Sequence, residues 1–331
     1  MATRHHVRGT DHPCSATLSR RRADPLSVVA IVGHTASGKS AIAETLAERQ
    51  GAVIVSVDSM QAYRGMDIGT AKPTPDVRRR IPHRMIDIVD PSEDLAAPSF
   101  QRIGRNAIAA ALDSHGKVVI VGGSGLHFRS LVDPLSFAPT DPDVKAMLVE
   151  RTDGERRALL LDADPSAGDH VDLDNPRRVL RALEILELTG QTPTERATSA
   201  EAEAVRTYQA VVPFTGFGTD AGDRSRERVA LRFQAMLEAG LVDEVTRLAP
   251  AMGRNASQAV GYKELLPTLT GDAALDDATE AAIVATNALV KRQRTFFGRD
   301  PRITWLPWQD DEERRIEEAV ETVGREAAWT S

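Results

Sequence analysis

A phosphate-binding loop is encoded near the start of the chain. The segment Gly33-His-Thr-Ala-Ser-Gly38-Lys39-Ser40 fits the pattern G-x-x-x-x-G-K-[ST]. Glycines let such a loop curl so that its amides point inward, and the following helix N-terminus adds partial positive charge. Lys39 contributes a point charge, and the Ser40 hydroxyl is a candidate Mg²⁺ ligand. The motif predicts a diphosphate site but does not distinguish ATP from other diphosphates.

Three further polar side chains follow predicted strands. Asp58 and Asp90 each come directly after an apolar run, and Ser124 lies in the glycine-rich turn Gly122-Gly-Ser-Gly125 after another. The carboxyl ends of parallel strands meet at one edge of a sheet, where ligands of open α/β folds bind. A diphosphate cradle, the Asp58 carboxylate and the Ser124 hydroxyl at one edge suit group-transfer chemistry, with donor and acceptor left open.

The elements that must hold these residues indicate an α/β protein. Short β-branched runs alternate with helical spacing, which favours a parallel sheet with helices on both faces. Strands are predicted at residues 27–32, 52–57, 85–89, 117–121, 208–214 and 303–306. Helices are predicted at residues 41–48, 100–114, 177–189, 225–248, 263–269 and 276–297.

Composition divides the chain into four segments. Residues 1–26 carry five Arg and little apolar periodicity, which predicts a disordered N-terminal extension; a basic arm that assists nucleic-acid contact is the alternative. Residues 27–140 are predicted to form the first part of the P-loop core, and residues 208–331 the second part. Residues 141–207 lack a clear apolar strand and predict a helical insertion.

Composition also excludes several classes of protein. A net charge of −7 excludes a bulk polycation, so nucleic acid would have to be bound by local basic patches. No apolar run approaches the roughly 20 residues of a membrane helix, and the start of the chain lacks the apolar stretch of a secretory signal. The single cysteine, Cys14, excludes a disulfide framework and a Cys-based zinc site. We therefore expect a cytoplasmic protein, without membrane contact or an evident obligate protein partner.

Several segments together resemble the tRNA dimethylallyltransferase family, also called the IPP transferase family. They follow the family's order over nearly all of residues 27–300 and lie at 33–40, 58–73, 82–83, 87–91, 122–126, 175–184, 259–264 and 291–295. The run from Asp58-Ser-Met-Gln to Ala-Lys-Pro73 is the most specific. The chain departs from the family where proline, threonine, tyrosine, tryptophan and a basic residue are usual, at His34, Ser124, His127, Phe296 and Gly298. We expect the His34 side chain to point outward.

The resemblance implies an enzyme that transfers the dimethylallyl group of dimethylallyl diphosphate to N6 of the adenosine immediately 3′ of the anticodon in tRNA. It implies that Asp58 accepts the N6 proton, that Ser124 hydrogen-bonds near the transferring group, and that Mg²⁺ is the cofactor, bound by Ser40. Diphosphate contacts are expected from Gly33, His34, Thr35, Ala36, Ser37, Gly38, Lys39, Ser40, Arg224 and Arg228.

The same resemblance implies that the anticodon stem-loop of tRNA is the partner and that the acceptor adenine is flipped into a pocket. Basic clusters near residues 177–181 and 291–302 suit phosphate contact, and the Gln61 amide can pair with an adenine edge. Contacts to tRNA are expected from Asp58, Ser59, Met60, Gln61, Ser124, Lys145, Arg177, Arg178, Arg181, Gly261, Tyr262, Lys263, Lys291, Arg292, Gln293 and Arg294.

Three alternatives stay open. A prenyltransferase acting on AMP or ADP would need neither the insertion nor the basic cluster near residue 291. A small-molecule kinase would use ATP at the same loop, and a non-enzymatic RNA-binding switch would bind nucleotide without transfer. Preference for an allylic diphosphate over ATP, with a steep salt dependence of tRNA binding, would distinguish the tRNA prenyltransferase.

Overall fold

A parallel six-stranded sheet forms the centre of the molecule. The computed structural model describes residues 27–329, so the predicted N-terminal extension lies outside the described residues. The strands are β1 (Val28–Gly33), β2 (Val53–Ser56), β3 (His83–Arg84), β4 (Val118–Gly122), β5 (Thr215–Thr219) and β6 (Ile303–Trp305). Their order across the sheet is β3-β2-β4-β1-β5-β6, and all neighbouring pairs are parallel. The predicted α/β class is confirmed.

Helices cover both faces of this sheet, and further helices form a separate group at residues 142–206. They are α1 (Lys39–Gln50), α2 (Pro75–Arg80), α3 (Ala97–His115), α4 (Gly125–Val132), α5 (Pro142–Val149), α6 (Asp153–Ala163), α7 (Pro176–Thr189), α8 (Pro193–Ala197), α9 (Ala200–Arg206), α10 (Ser225–Glu238), α11 (Leu241–Leu248), α12 (Tyr262–Leu265), α13 (Leu275–Phe297) and α14 (Glu312–Glu326). No helix among residues 27–329 is long and apolar enough to span a membrane.

Strands β1 and β4 are apolar throughout because each of their faces meets a helical layer. Val28, Ala30 and Val32 of β1 pack in one cluster with α3, α4 and the end of α13. Val29 and Ile31, whose side chains alternate to the other face, pack with α1 and α14. A strand that is buried on both faces can therefore be recognised from its own continuous run of apolar residues. The predicted strands at 27–32, 52–57 and 117–121 are confirmed.

Two predicted strands are wrong. Residues 85–89 do not form a strand, because Met85 and Asp87 adopt left-handed backbone conformations (φ 66° and 56°), and the short β3 lies just before them. Val89 forms only an isolated bridge with Tyr63. Met85 and Val89 are buried and Ile86 and Ile88 are half-buried, so the apolar run does pack inward, but its backbone bends instead of forming a strand.

The fifth strand lies after the predicted one. Residues 208–214 are irregular, and β5 is Thr-Gly-Phe-Gly-Thr. Glycine disfavours strands in isolation, but any Cβ on Gly216 or Gly218 would come within 2.7 Å of Ile303 or Trp305 on the neighbouring strand. Close approach of β6 thus explains a strand that its own sequence does not suggest.

The predicted helix 225–248 is two helices, α10 and α11, separated at Gly240 with φ 96°. The predicted helix 263–269 is also divided, into α12 and a short 3₁₀ turn at Leu266–Leu269. Helices at 41–48, 100–114, 177–189 and 276–297 and the strand at 303–306 are confirmed.

Residues 142–206 contain five helices with an apolar cluster of their own. Asn175 caps α7 by accepting the N–H groups of Arg177 and Arg178. Where the chain leaves and rejoins the sheet layers, the fully buried Asp133 carboxylate pairs with Arg129 and Arg302. The helical character of this region agrees with the sequence, whereas its boundaries and a separate role for it stay predictions.

Candidate active site

A cavity of about 570 Å³ lies at the carboxyl edge of the sheet. It is enclosed by the phosphate-binding loop, the segment after β2, the glycine turn after β4, α10 and α13. Nine predicted site residues line it, namely Thr35, Ala36, Asp58, Ser59, Met60, Ser124, Gly261, Arg292 and Gln293. Segments far apart in sequence therefore meet at the edge where an open α/β sheet binds its ligands.

The phosphate-binding loop is fixed to the sheet by side chains. Gly33 has φ 150°, and a Cβ there would come within 2.4 Å of the Thr219 carbonyl oxygen. Ser37 Oγ and Thr219 Oγ1 are 2.6 Å apart, and His34 Nε2 lies 3.0 Å from Asp220 Oδ1. His34 is 1% exposed, so the expectation of an outward-pointing side chain is wrong. The loop is held in place by contacts to the end of β5.

Lys39 projects from this loop into a region of low solvent access. Its Nζ donates to the His34 carbonyl oxygen at 3.0 Å. Burial, together with the nearby Arg232 cation and against the opposing charge of Asp58, lowers the pKa of the Lys39 ammonium to about 8. Two cations close together in a buried site favour an anion between them.

Three arginines follow one another at i+4 spacing with different surroundings: Arg224 immediately before α10, and Arg228 and Arg232 on it. Arg224 is exposed and pairs with Asp310 at 2.7 Å, and Arg228 Nε donates to the Ala36 carbonyl oxygen at 2.8 Å. Arg232 lines the cavity, and within residues 27–329 its guanidinium makes no hydrogen bond or ion pair. Arg232 is absent from the predicted site residues, although its spacing from Arg228 was a usable signal.

The Asp58 carboxylate lies just beyond the C-terminal end of β2. Its Oδ1 accepts the Met60 N–H at 2.9 Å, and the Asp58 N–H donates to Ser56 Oγ at 3.2 Å. No group among residues 27–329 hydrogen-bonds the second carboxylate oxygen. Asp58 therefore combines a fixed orientation with a free acceptor in the cavity, which is the requirement for a general base.

The run 58–73 folds around a buried lysine. Lys72 Nζ donates to the Tyr63 carbonyl oxygen and to the carboxylates of Asp67 and Asp87, at 2.5, 2.9 and 2.5 Å. A buried ammonium needs such complete pairing. The segment that carries Asp58 therefore contains both a buried lysine, Lys72, and one of the two carboxylates that neutralise it, Asp67.

Ser124 lies opposite this segment, in a turn that contacts the phosphate-binding loop. A Cβ on Gly123 would meet the Gly33 carbonyl oxygen at 3.0 Å and Gln293 Nε2 at 2.5 Å. Gln293 Oε1 in turn accepts the Thr35 N–H at 2.9 Å. Gln293, predicted to contact tRNA, thus connects the two glycine-rich turns.

Two residues predicted to contact tRNA are engaged elsewhere. Tyr262 is fully buried and its hydroxyl donates to Glu244 at 2.5 Å, so the structure shows this side chain packed in the interior. Gln61 does not line the main cavity; its amide accepts from Ser56 Oγ at 2.8 Å and donates to the Thr70 carbonyl oxygen at 3.1 Å. Pairing of Gln61 with adenine would require these hydrogen bonds to break.

The predicted basic residues fall into two groups. Arg181 donates to the carbonyl oxygens of Ala138 and Pro139, and Arg294 pairs with Asp220 at 2.6 Å, so both hold the fold. The others are exposed, namely Lys145, Arg177, Arg178, Lys263, Lys291 and Arg292. Arg178 has Asp172 at 3.5 Å. The exposed group contains the cations that are accessible to a polyanion.

The residues near the loop fit a magnesium ion that is bound mainly by its substrate. Ser40 is exposed, and its hydroxyl makes no hydrogen bond within residues 27–329. That part of the chain also contains no cluster of three or more His, Cys, Asp or Glu side chains able to hold a metal. One hydroxyl, with diphosphate oxygens and water, is a donor set that Mg²⁺ accepts.

The sequence model described as IPP transferase matches residues 61–300. This chain belongs to the IPP transferase family. It is 42% identical over 287 residues to a tRNA dimethylallyltransferase from Streptomyces coelicolor, covering 84% of this chain and 89% of that relative.

Two solved structures of this family share its architecture. The full-length tRNA isopentenylpyrophosphate transferase from Bacillus halodurans is 32% identical, with a TM-score of 0.65 and coverage of 91% of this chain and 97% of that one. A tRNA delta(2)-isopentenylpyrophosphate transferase from Staphylococcus epidermidis is 30% identical, with a TM-score of 0.65 and coverage of 92% and 99%. The resemblance drawn from the motifs is confirmed.

Proposed function

We propose that this IPP transferase moves the dimethylallyl group of dimethylallyl diphosphate to N6 of an adenosine in tRNA and releases diphosphate. One observation carries the proposal. The Asp58 carboxylate, which can accept a proton, lines the same cavity as Arg232, the cation next to Lys39 of the phosphate-binding loop. The cavity therefore offers a base for the acceptor and positive charge for the leaving group.

The lining of the cavity supports an isoprenoid donor over ATP. Beyond the charged residues, its wall consists largely of apolar side chains, including Val229, Phe233, Met236, Leu241 and Leu289. Such a surface suits a branched hydrocarbon tail and offers few partners for a ribose. The diphosphate would bind the loop amides, Lys39 and Arg232, with the tail directed along this wall.

The reaction requires that negative charge on the leaving diphosphate be stabilised and that a proton be removed from N6. The N6 lone pair attacks C1 of the donor, and the C1–O bond breaks with its electron pair moving to diphosphate. Lys39 and Arg232 stabilise the charge that builds on the leaving group. Asp58 accepts the proton from N6 as the amine becomes acidic. Mg²⁺, when bound at Ser40, supplies further positive charge to the diphosphate.

The finer proposal is that the acceptor is the adenosine immediately 3′ of the anticodon, and that the reaction takes place in the cytoplasm. An unpaired loop base is cheap to unstack, which favours an acceptor in the anticodon loop. The exposed cations Lys145, Arg177, Lys291 and Arg292 would contact the phosphates of the anticodon stem-loop.

One assay with parallel acceptors tests both the transfer to tRNA and the position of the acceptor adenosine. Radiolabelled dimethylallyl diphosphate is offered to unmodified tRNA, to the same tRNA with guanosine at the acceptor position, and to AMP and ADP. We expect label on the first tRNA alone, with release of one diphosphate per transfer. Label on AMP or ADP would favour the adenylate prenyltransferase, and label on the guanosine-substituted tRNA would contradict the acceptor position.

A further inference from the structure

Ser124 occupies the N-cap position of α4 without capping the helix. A serine there usually accepts the N–H of the second or third helical residue, which stabilises the start of the helix. The Ser124 side chain makes no such bond. Its Oγ lies instead 2.7 Å from Nδ1 of His127, one turn into the helix. The hydroxyl is diverted from its usual structural use at a position that lines the active-site cavity.

His127 packs between this hydroxyl and the interior of the protein. Its ring meets Phe100 edge-on with centroids 4.4 Å apart, and Phe100 is fully buried. Burial lowers the pKa of the His127 imidazole below its ordinary value, and Asp58 is the charged group that opposes this shift. A neutral imidazole carries one N–H, so its tautomer decides which partner donates in the pair with Ser124.

We propose that His127 is a positioning residue that directs the Ser124 hydroxyl hydrogen into the cavity. In this arrangement Nδ1–H donates to Ser124 Oγ, so the hydroxyl hydrogen must point elsewhere. No other hydrogen bond to this hydroxyl exists within residues 27–329. The turn that carries Ser124 lies against Gly33 of the phosphate-binding loop, which places the free hydroxyl hydrogen near a bound diphosphate.

This inference rests on the proposed function. When C1–O breaks and its electron pair moves to the diphosphate, the leaving oxygen becomes a stronger hydrogen-bond acceptor. A donor already aimed at that oxygen stabilises the transition state more than the bound donor substrate. Ser124 gives a hydrogen bond and keeps its proton, while the N6 proton goes to Asp58. Without His127 the hydroxyl would be free to rotate away.

A double-mutant cycle tests the coupling. The variants Ser124→Ala, His127→Phe and the two combined are compared for kcat, for KM of each substrate and for melting temperature. We expect His127→Phe to lower kcat about tenfold, equivalent to about 1.4 kcal/mol, with little change in the KM of the donor. In the Ser124→Ala background the same substitution should have no further effect on kcat.

Two further variants separate positioning from packing. His127→Asn keeps an N–H close to the place of Nδ1–H and should recover most of kcat. Phe100→Leu removes the ring contact but not the hydrogen bond, so it should lower the melting temperature and leave kcat within about twofold. Independent, additive effects of His127→Phe and Ser124→Ala on kcat, or wild-type kcat in His127→Phe, would overturn the inference. If the wild-type chain modified no tRNA, the proposed function itself would fail.

Discussion

At the residue scale, the site depends on charged groups that are already in position before any substrate binds. Asp58 has one oxygen that accepts the Met60 N–H and one that is free, and Arg232 makes no hydrogen bond or ion pair within residues 27–329. Lys39 donates one hydrogen bond to the His34 carbonyl oxygen. Such preorganised groups need not be reoriented during the reaction, which is how polar sites stabilise developing charge.

Replacing Asp58 by asparagine should remove the base and keep the geometry. The amide oxygen can still accept the Met60 N–H, so we expect donor binding to be nearly unchanged while kcat falls about 10²–10⁴-fold. Single-turnover transfer of labelled dimethylallyl to tRNA measures the effect. Asp90→Asn is the matched control, because Asp90 is bonded to Ser92 at an exposed turn and should keep wild-type turnover. Near-wild-type kcat in Asp58→Asn would contradict the assignment.

We expect Lys39 to make diphosphate binding sensitive to pH. Its pKa of about 8 in the free protein means that the amine loses its charge as pH rises through that value. Because a bound diphosphate favours the charged form, binding should be accompanied by proton uptake between about pH 8 and 9. Calorimetric titration with pyrophosphate in two buffers of different ionisation enthalpy measures this uptake. Lys39→Met corrects for ionisation of the ligand itself, and equal uptake in both proteins would contradict the prediction.

The same pKa has a consequence for stability. The folded protein holds Lys39 with a pKa below the 10.5 of the unfolded chain, so the unfolded state binds more protons between these values. The contribution of Lys39 to the free energy of unfolding therefore increases as pH rises from about 8 toward 10.5. Below this window the buried ammonium reduces stability, unless an anion is bound.

At the scale of elements, the sequence predicts the strands and helices whose own residues show the expected apolar pattern. Strand β1 is apolar at every position because helices cover both of its faces, and its pattern was sufficient. Strand β5 contains Gly216 and Gly218, which are required by the side chains of β6, and no local pattern reveals such a neighbour. The turn at Met85 and Asp87 was mistaken for a strand because buried turns and buried strands have similar composition.

The residues of the site also differ in how far the sequence predicts them. Lys39 could be found from the spacing of its motif, and Asp58 and Ser124 from their places after apolar runs, whereas the roles expected of Asp58 and Ser124 came from the family resemblance. Arg232 required knowledge of which face of α10 meets the cavity. Tyr262 was assigned to tRNA contact by the family resemblance, although its surroundings bury it against Glu244.

Glu244 and Tyr262 form a support for one wall of the cavity. The Glu244 carboxylate on α11 is 4% exposed and accepts the N–H groups of Asp67, Ile68 and Gly69 as well as the Tyr262 hydroxyl. Gly69 lines the cavity and lies so close to the Tyr262 ring that a Cβ would come within 2.4 Å. This pair therefore sets the position of the segment opposite α10.

Tyr262→Phe should destabilise the protein by about 1–3 kcal/mol, because it leaves a buried carboxylate with one donor fewer. Urea unfolding followed by circular dichroism measures the change. Tyr63→Phe is the control: this buried hydroxyl accepts only a 3.3 Å bond from the Leu95 N–H, so its loss should cost less. Equal losses in the two variants would show that the hydrogen bond to Glu244 adds nothing.

At the scale of the whole molecule, an acidic protein must bind a polyanion through a few accessible cations. The net charge is −7, so the average field repels tRNA. Several arginines are engaged in contacts within the protein: Arg302 pairs with Asp133, Arg294 with Asp220, and Arg181 with backbone carbonyls near residue 139. Cations without such partners within residues 27–329, including Lys145, Arg177, Lys263 and Lys291, are left for phosphate contact.

This division predicts which substitutions change the salt dependence of tRNA binding. Arg177→Ala and Lys291→Ala should each lower the slope of log Kd against log salt by about 0.7–0.9, the release of about one counterion, and should weaken binding at low salt. Filter binding between about 50 and 200 mM salt measures the slope. Arg314→Ala is the matched control, because Arg314 is also exposed but pairs with Glu318 on α14 at 2.7 Å, so its removal should leave the slope unchanged. If all three variants kept the wild-type slope, tRNA would have to bind another face of the molecule, and the two basic clusters would be surface charge without a role in binding.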